Sequence, residues 1–257
     1  MSIKPRTAEQ LTLMRKSGEI TAKALKKSLE AAKPGVSMAE IDRIAEAEIV
    51  RLGAKPSFMT VPGYKWTTCL TINNEVVHGI PREIILQKGD VFSIDIGAVY
   101  KGWYTDAAWS IIVGDDGSKE FADKRRFLKA GEDGMWAGTV QAIHNNRIGD
   151  ISHAMQVEVE GKGGYKVVHS LVGHGVGKEL HEDPEVPGYG KAGKGILLRA
   201  GVTLAIESIY TETTSKVVLD EDGWTICSAD GSLGGLFEMS VIVGKEAVEV
   251  LTDWRNV

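Results

Sequence analysis

At residues 88–95 the chain reads Lys88-Gly89-Asp90-Val91-Phe92-Ser93-Ile94-Asp95, an apolar run that ends in a carboxylate. The pattern recurs as Ala200-Gly201-Val202-Thr203-Leu204-Ala205-Ile206-Glu207, at an offset of 112 residues (207 − 95). A second pair, Lys16-Ser17-Gly18-Glu19 and Lys129-Ala130-Gly131-Glu132, is offset by 113 residues (131 − 18). Two matched pairs at nearly one offset indicate an internal duplication. We therefore predict one domain over residues 1–257, made of related halves at about 7–115 and 120–250.

Each half is predicted to contain two helices followed by strands. Both helices of the first half begin with a capping pair, Thr7 with Gln10 and Ser37 with Glu40. The helices of the second half are predicted at 127–144 and 150–159, the strands at 69–72, 90–96, 106–113, 202–206 and 239–243, and a hairpin at 99–104. This pattern predicts an α+β fold, with a central antiparallel sheet covered by helices and halves related by a pseudo-twofold axis.

Composition narrows the class of protein. A hydrophobic fraction of 43% and a charged fraction of 25% are typical of a globular domain. The net charge of −5 argues against a specific nucleic-acid site. The N-terminal residues lack the apolar segment of a signal peptide, and no apolar run approaches membrane-spanning length. Two cysteines provide neither a disulfide framework nor a cysteine-rich zinc site. A cytoplasmic protein without membrane contact is expected.

Five side chains stand out because each interrupts an apolar or glycine-rich segment where its polarity needs a reason. Buried carboxylates are costly unless they are paired or bind a cation. Four oxygen ligands and one imidazole exceed the needs of one tetrahedral zinc and suit two divalent metals that share bridging carboxylates. An aspartate at a strand end also caps turns, and a histidine between glycines also shapes loops, so single residues leave these alternatives open. The five are Asp95, Asp106, His174, Glu207 and Glu238.

Several motifs together resemble the methionine aminopeptidases of type I, which have the two-lobed "pita-bread" fold. The resemblance covers nearly the whole chain, and its most specific part is the segment from Asn73 to Pro81. The motifs are Asn73-Asn74-Glu75-Val76-Val77-His78-Gly79-Ile80-Pro81, Asp95-Ile96-Gly97, Thr105-Asp106, Gly173-His174-Gly175-Val176-Gly177, His181-Glu182-Asp183-Pro184, Ile206-Glu207 and Phe237-Glu238.

The resemblance implies a metal centre with divided roles. Asp95 would chelate one divalent metal and His174 with Glu207 the other, while Asp106 and Glu238 would bridge both. The reaction would be attack of a metal-bridging hydroxide on the first peptide bond of a polypeptide. Carboxylate and imidazole ligands accept manganese, iron, cobalt, zinc or nickel, so the metal's identity stays open.

The resemblance also implies roles around the metals. Glu207 would move a proton, His181 would hydrogen-bond the scissile carbonyl oxygen, and His78 would contact the backbone nitrogen beyond the bond. A methionine pocket would be formed by Tyr64, Cys69, Leu180 and Trp224. Taken singly, the two histidines read as surface loop residues, and Cys69 and Trp224 read equally well as core residues.

The chain departs from the family pattern beside two of the ligands. Many members have proline after the first ligand glutamate and a Glu-His-Thr segment at the second, whereas this chain has Glu207-Ser208 and Glu238-Met239-Ser240. No ligand is lost, so altered local contacts are expected rather than lost activity.

The expected substrates are nascent polypeptide N-termini with a free amine and a small second residue. The resemblance further implies a monomer, and it leaves a transient ribosome contact open. Two alternative functions fit the same sequence. One is a prolidase or Xaa-Pro aminopeptidase of the same fold, and the other is a non-catalytic binding module that shares it.

Overall fold

The structure, a computed structural model, describes residues 4–257. Residues 1–3, which contribute to the predicted lack of a signal peptide, lie outside the described residues. Within the described part, none of the helices combines the length and the apolar character that crossing a membrane requires.

The two helices of the first half begin where the sequence predicts. Helix α1 (Ala8–Ala31) follows a capping box in which the Gln10 backbone N–H donates to Thr7 Oγ1 at 3.3 Å. Helix α2 (Met38–Arg51) follows Ser37, whose Oγ accepts from the Glu40 backbone at 3.2 Å. The side chains of Thr7 and Ser37 thus each accept a hydrogen bond from a backbone N–H group that has no partner within the helix.

The predicted bounds of the second pair of helices are wrong by several residues. Helix α3 (Ala122–Thr139) begins five residues before Phe127, where a polar first turn gives no apolar periodicity. Helix α4 (Ile148–Gln156) begins before Asp150 and continues into a π-helical turn, Val157–Lys162. Asp150 is not the cap residue itself. Its Oδ2 instead accepts from the Arg147 backbone at 2.7 Å, as the acidic third residue of a capping box does.

The strands form one large sheet and one small one. In the large sheet the hydrogen-bonded order is β1-β4-β5-β12-β9-β7-β8, with β2 beside β4, β6 beside β9 and β13 beside β12; the small sheet runs β10-β11-β3. The strands are β1 (Lys55–Pro56), β2 (Thr68–Ile72), β3 (Glu75–Val77), β4 (Val91–Tyr100), β5 (Trp103–Ile112), β6 (Lys166–Val167), β7 (Gly173–Gly175), β8 (Glu182–Val186), β9 (Thr203–Thr211), β10 (Val217–Leu219), β11 (Ile226–Ser228), β12 (Gly234–Ile242) and β13 (Glu249–Val250).

The predicted strand bounds are wrong at three carboxylates, because they put Glu207 just after a strand, Asp106 at the start of a strand and Glu238 just before a strand. Asp95, Asp106, Glu207 and Glu238 all lie inside β4, β5, β9 and β12, which extend on both sides of them. A carboxylate interrupts the apolar run on only one face of a strand, because neighbouring side chains point to opposite faces. The run therefore continues on the other face.

That other face is the core. Ile94, Ile96, Ile206 and Met239 alternate with the carboxylates and belong to the main hydrophobic cluster beneath the helices. Helix α1 packs on β4 and β5, and helix α3 packs on β9 and β12. The sheet thus has one apolar face covered by helices and one face that carries the polar residues.

The element order supports the predicted pseudo-twofold relation. Six of the ten strands in the large sheet read β2-β4-β5, then β12-β9-β7, so that three strands of each half lie in mirrored order. The matched glycines also lie at close approaches, since a Cβ atom would be 2.5 Å from the Leu251 oxygen at Gly18 and 2.1 Å from the Tyr210 ring at Gly131. The half boundaries, about 7–115 and 120–250, stay a prediction.

Candidate metal centre

Strand register aligns the predicted ligands across the sheet. Glu207 on β9 lies directly opposite Glu238 on β12, which is paired with Ala108 on β5. Ala108 is paired in turn with Asp95 on β4, and Asp95 with Cys69 on β2. Paired residues share a face, so these side chains form one row across five strands. The small Ala108 leaves space in the middle of the row.

The remaining two ligands lie one step away from that row on the same face. Asp106 is two residues from Ala108 on β5, and His174 on β7 is paired with Ala205, two residues from Glu207. Residues two apart along a strand point to the same side. All five predicted ligands therefore project from one face.

Three of the five converge on one point. His174 Nε2 lies 3.5 Å from Asp106 Oδ2 and 3.9 Å from Glu238 Oε1. One ligand atom from each of these residues can be chosen so that all lie within 4.8 Å of one another. The other ring nitrogen, His174 Nδ1, is 2.9 Å from the Gly175 carbonyl oxygen and donates its proton there. Nε2 faces the carboxylates, so that in the neutral ring its lone pair points where a metal-binding histidine requires.

The concentration of negative charge is not neutralised by protein cations. Across residues 4–257, no lysine or arginine forms an ion pair with the four carboxylates, although Asp106 and Glu238 are each only 3% exposed. Asp95 Oδ1 is buried without a hydrogen-bond partner. Buried carboxylates of this kind require either protons or a cation. The oxygen-rich set with one imidazole fits divalent metal ions.

The pKa values of the buried carboxylates also indicate that these groups require protons or a cation. Burial, together with the Asp106 and Glu207 carboxylates, raises the pKa of Asp95 well above its usual range. Burial and the neighbouring carboxylates do the same to the pKa of Glu238. The pKa of Glu207 is raised to about 7 by burial, against a lowering contribution from His174. Without metal these groups hold protons near neutral pH, which a bound divalent cation would displace.

We expect the metal-free protein to lose stability as the pH rises from about 4.5 to 7. A carboxyl group with a raised folded-state pKa binds a proton that the unfolded chain has released, so the free energy of unfolding falls by about 1.4 kcal/mol per pH unit for each such group. Glu207 covers the window from 4.5 to about 7. Thermal melts in chelator between pH 5 and 7.5 measure the effect, and Glu207→Gln should flatten the slope. A midpoint that rises through this window in the wild-type protein would contradict the assignment.

The predicted ligand and substrate residues line one cavity of about 150 Å³. Tyr64, Cys69 and Leu180 form a buried apolar cluster against which Trp224 packs. The Tyr64 ring meets Trp224 edge-to-face, with centroids 5.1 Å apart. Phe58 and Val61 line the cavity too, and the sequence analysis missed them. The sequence signal that could have identified this part of the pocket is an aromatic residue, Phe58, shortly before the turn residues Pro62 and Gly63.

Two histidines border the same cavity. The His181 ring lies 4.4 Å, centroid to centroid, from the His174 ring. His78 has a φ of 58°, in the left-handed region, and follows β3 directly. Glu75 and Arg82 form an ion pair across the base of the segment that holds His78. Although both residues are exposed and partly open to solvent, loss of water around the ring nitrogens lowers the pKa of both histidines, with His181 contributing to the shift at His78 and His174 to that at His181. Both rings are thus neutral near pH 7.

The departures from the family pattern fall on different faces. Met239 is fully buried in the core, and Ser208 lies 3.4 Å from the position a Cβ would take on Gly134 of α3, so both lie under the helices. Ser240 lies on the ligand side. Its Oγ accepts from the Asp106 backbone N–H at 3.0 Å and lies 2.9 Å from the Asp106 carbonyl oxygen and 3.0 Å from Asp106 Oδ1. Ser240 therefore orients a predicted bridging ligand, a role that the sequence analysis did not assign.

The chain's relationship to known proteins agrees with this geometry. Residues 12–244 match the family model described as metallopeptidase family M24. The chain belongs to this family. It is 41% identical over 244 residues to the methionine aminopeptidase of Clostridium acetobutylicum, covering 95% of this chain and 96% of the relative. The predicted membership of the methionine aminopeptidases is confirmed.

Solved structures of the family confirm the predicted pita-bread fold. The crystal structure of methionine aminopeptidase from Thermotoga maritima superimposes with a TM-score of 0.92 at 37% identity, covering 97% of this chain and 99% of that one. A prolidase from Pyrococcus furiosus gives a TM-score of 0.74 at 22% identity, and only 65% of its length is covered. The prolidase likeness extends to the fold alone, so it does not favour the rival reading.

Proposed function

We propose that this member of family M24 is a metal-dependent methionine aminopeptidase that removes the N-terminal methionine from polypeptides. One observation carries the proposal: the five metal-ligand candidates and an apolar, sulfur- and aromatic-lined pocket border a single cavity. A methionine side chain suits such a pocket, because its flexible thioether packs well against aromatic rings. The bond next to that residue would then lie beside the carboxylates.

Two divalent metals are proposed, drawn from manganese, iron, cobalt, zinc and nickel. Asp95 would hold one of them and His174 with Glu207 the other, with Asp106 and Glu238 shared between them. When bound, such ions activate water for attack and polarise a carbonyl oxygen. The support is the donor chemistry of Asp106, His174 and Glu238, whose ligand atoms converge, and the second ring nitrogen of His174, which bonds the Gly175 oxygen and leaves Nε2 facing the carboxylates.

The chain's own residues would position the substrate and move protons. Glu207, whose side chain borders the cavity, would accept a proton and return it to the departing amine. His181 and His78 would be neutral near pH 7, so each could donate one ring N–H, His181 to the scissile carbonyl oxygen and His78 to the backbone beyond it. Donors fixed in advance stabilise the charge that develops on the carbonyl oxygen.

Cys69→Ala should change the preference for the first residue without abolishing turnover. Cys69 lies in the row beside Asp95 and borders the cavity, so the smaller alanine enlarges the pocket near the methionine side chain. We expect the ratio of kcat/KM for methionine over leucine to shift by about tenfold, since one methylene is worth about 1–3 kcal/mol in such pockets. Cys227→Ala is the matched control, because Cys227 lies outside the cavity lining. An unchanged ratio in the Cys69 variant would remove Cys69 from the pocket.

The proposed substrates are nascent polypeptides with a free amine and a small second residue. A free amine binds a metal as a blocked amine does not, which explains exopeptidase specificity physically. We further propose that the protein acts in the cytoplasm as a monomer and that it contacts the ribosome transiently.

Release of methionine from the peptide Met-Ala-Ser tests the function. Metal-stripped protein resupplied with manganese or cobalt should cleave Met-Ala-Ser but neither its N-acetylated copy nor an Xaa-Pro peptide. Cleavage of the Xaa-Pro peptide instead would assign the chain to the prolidase-like enzymes. No turnover with any metal would favour the binding module.

A further inference from the structure

The segment Gly177–His181, here called the His181 loop, connects β7 to β8 and carries two cavity residues, Leu180 and His181. It contains neither helix nor strand, and Lys178, Glu179 and His181 are exposed. A loop without regular structure needs other contacts to hold its side chains in place. Its first residue is anchored to the sheet, because the Tyr104 backbone donates to the Gly177 oxygen at 2.7 Å.

The carboxylate of Glu182, the residue that follows the loop, accepts hydrogen bonds from the backbone in the middle of the loop. Glu182 Oε1 accepts from the Lys178 backbone at 2.6 Å and from the Glu179 backbone at 3.1 Å. The other oxygen, Oε2, forms an ion pair with Arg6 Nη2. The position of the loop thus depends on where the Glu182 carboxylate is held.

Arg6 holds that carboxylate from the N-terminal segment before α1. Its Nη2 also donates to the Val176 oxygen at 3.4 Å, and its Nε donates to Thr203 Oγ1 at 3.3 Å. Its own backbone N–H donates to the Gly201 oxygen at 2.8 Å, which fixes the segment against the start of β9. Its guanidinium carbon lies 5.5 Å from the centroid of the Trp103 ring.

The packing between Arg6 and the His181 loop is tight. A Cβ atom on Gly177 would lie 2.4 Å from Arg6 Nη2, so the loop backbone lies directly against the guanidinium. The side chains of Arg6 and Glu182 are only 18% and 19% exposed. Water therefore replaces this ion pair less readily than it replaces a surface pair.

We propose that Arg6 is a positioning residue for catalysis, which acts through Glu182 to hold His181 over the cavity. This rests on the proposed aminopeptidase function. Arg6 touches none of the predicted metal ligands, and its contacts reach the loop backbone and the carboxylate that binds that backbone. Without Arg6 the Glu182 carboxylate loses its charge partner, and the oxygen of Val176, just before the loop, keeps only its contact with Thr203. His181 then departs from its working position. Displacement of a catalytic group by about 1 Å can cost on the order of 100-fold in rate.

The test compares Arg6→Ala with Arg15→Ala, each alone and combined with His181→Ala. Arg15 also pairs with a glutamate, Glu249, but that pair is 47% and 43% exposed and its residues do not border the cavity. We expect Arg6→Ala to lower kcat for Met-Ala-Ser by about 10- to 100-fold with bound manganese unchanged, and Arg15→Ala to match the wild type. In the His181→Ala background the Arg6→Ala loss should shrink to less than about threefold, because the residue through which it acts is gone.

A second variant and a hydrogen-exchange measurement complete the test. Glu182→Gln, which preserves shape but removes the charge, should lower kcat in the same way and replaces Arg6→Ala if that variant does not fold. Backbone hydrogen exchange over 176–182 should be about tenfold faster in Arg6→Ala than in Arg15→Ala, whether or not the protein is active. Unchanged exchange, or an equal loss of kcat with and without His181, overturns the proposal. Absence of methionine release by the wild-type protein counts instead against the proposed function.

Discussion

Asp106→Asn is expected to empty both metal positions and to lower the rate of methionine release by about 1,000-fold or more at limiting metal. Asp106 is a predicted bridging ligand, and its Oδ2 is the ligand atom 3.5 Å from His174 Nε2. The asparagine amide keeps nearly the same shape and an oxygen that can accept from Ser240. The variant therefore removes charge with little change in packing. Metal content after gel filtration, measured by plasma mass spectrometry, gives the direct readout.

The matched control is Asp123→Asn, an aspartate in the first turn of α3 whose side chain is 82% exposed. It should keep wild-type metal content and rate. If Asp106→Asn retained as much manganese as this control, the metal centre would have to be placed elsewhere.

His181→Ala is expected to separate metal binding from turnover. His181 borders the cavity but is not one of the five predicted metal ligands, so metal content should stay at the wild-type level. Removal of a donor to the developing oxyanion costs about 100- to 1,000-fold in kcat. The measurement is kcat for Met-Ala-Ser at saturating manganese, together with the metal content of the same sample.

The matched control for His181 is His169→Ala. His169 is also an exposed histidine, but it stacks on Tyr189 at 4.1 Å between ring centroids and lies outside the cavity lining. We expect no change in kcat for this control. Equal metal loss in the His181 and Asp106 variants would show that His181 is a ligand and would refute its proposed role.

Local sequence signals predicted the parts of the fold that depend on neighbouring residues. The capping pairs located α1 and α2 because a side chain and a backbone group three residues apart decide a helix start. The hairpin between β4 and β5 was predicted for the same reason. Its central residues, Lys101 and Gly102, have φ values of 50° and 77°, as the tight two-residue turn requires.

The strand ends were predicted wrongly because one sequence pattern fits two structures. A carboxylate after an apolar run reads as the end of a strand, yet Asp95 and Glu207 lie inside strands that continue. The distinction depends on what faces the carboxylate, and only the assembled sheet supplies that. The row from Glu207 to Cys69 crosses five strands, and the register of each pair comes from packing over the whole domain.

Residues that hold the site in place were not readable from the sequence. Ser240 contacts Asp106 across 134 positions and Arg6 contacts Glu182 across 176 positions of the chain. No local pattern marks either residue, because a serine in a strand and an arginine before a helix are ordinary there. The candidate ligands were readable since each breaks an apolar or glycine-rich pattern, whereas their supporting contacts follow from tertiary packing alone.

Anomalous diffraction from crystals soaked with manganese tests the central claim, that five side chains on one sheet face form a two-metal centre. We predict two anomalous peaks in the cavity, about 3.5–4 Å apart, with the carboxylates of Asp106 and Glu238 between them. Asp95 should contact one peak, and His174 with Glu207 the other. Manganese bound elsewhere, with no peak beside Asp106 and Glu238, would contradict the account.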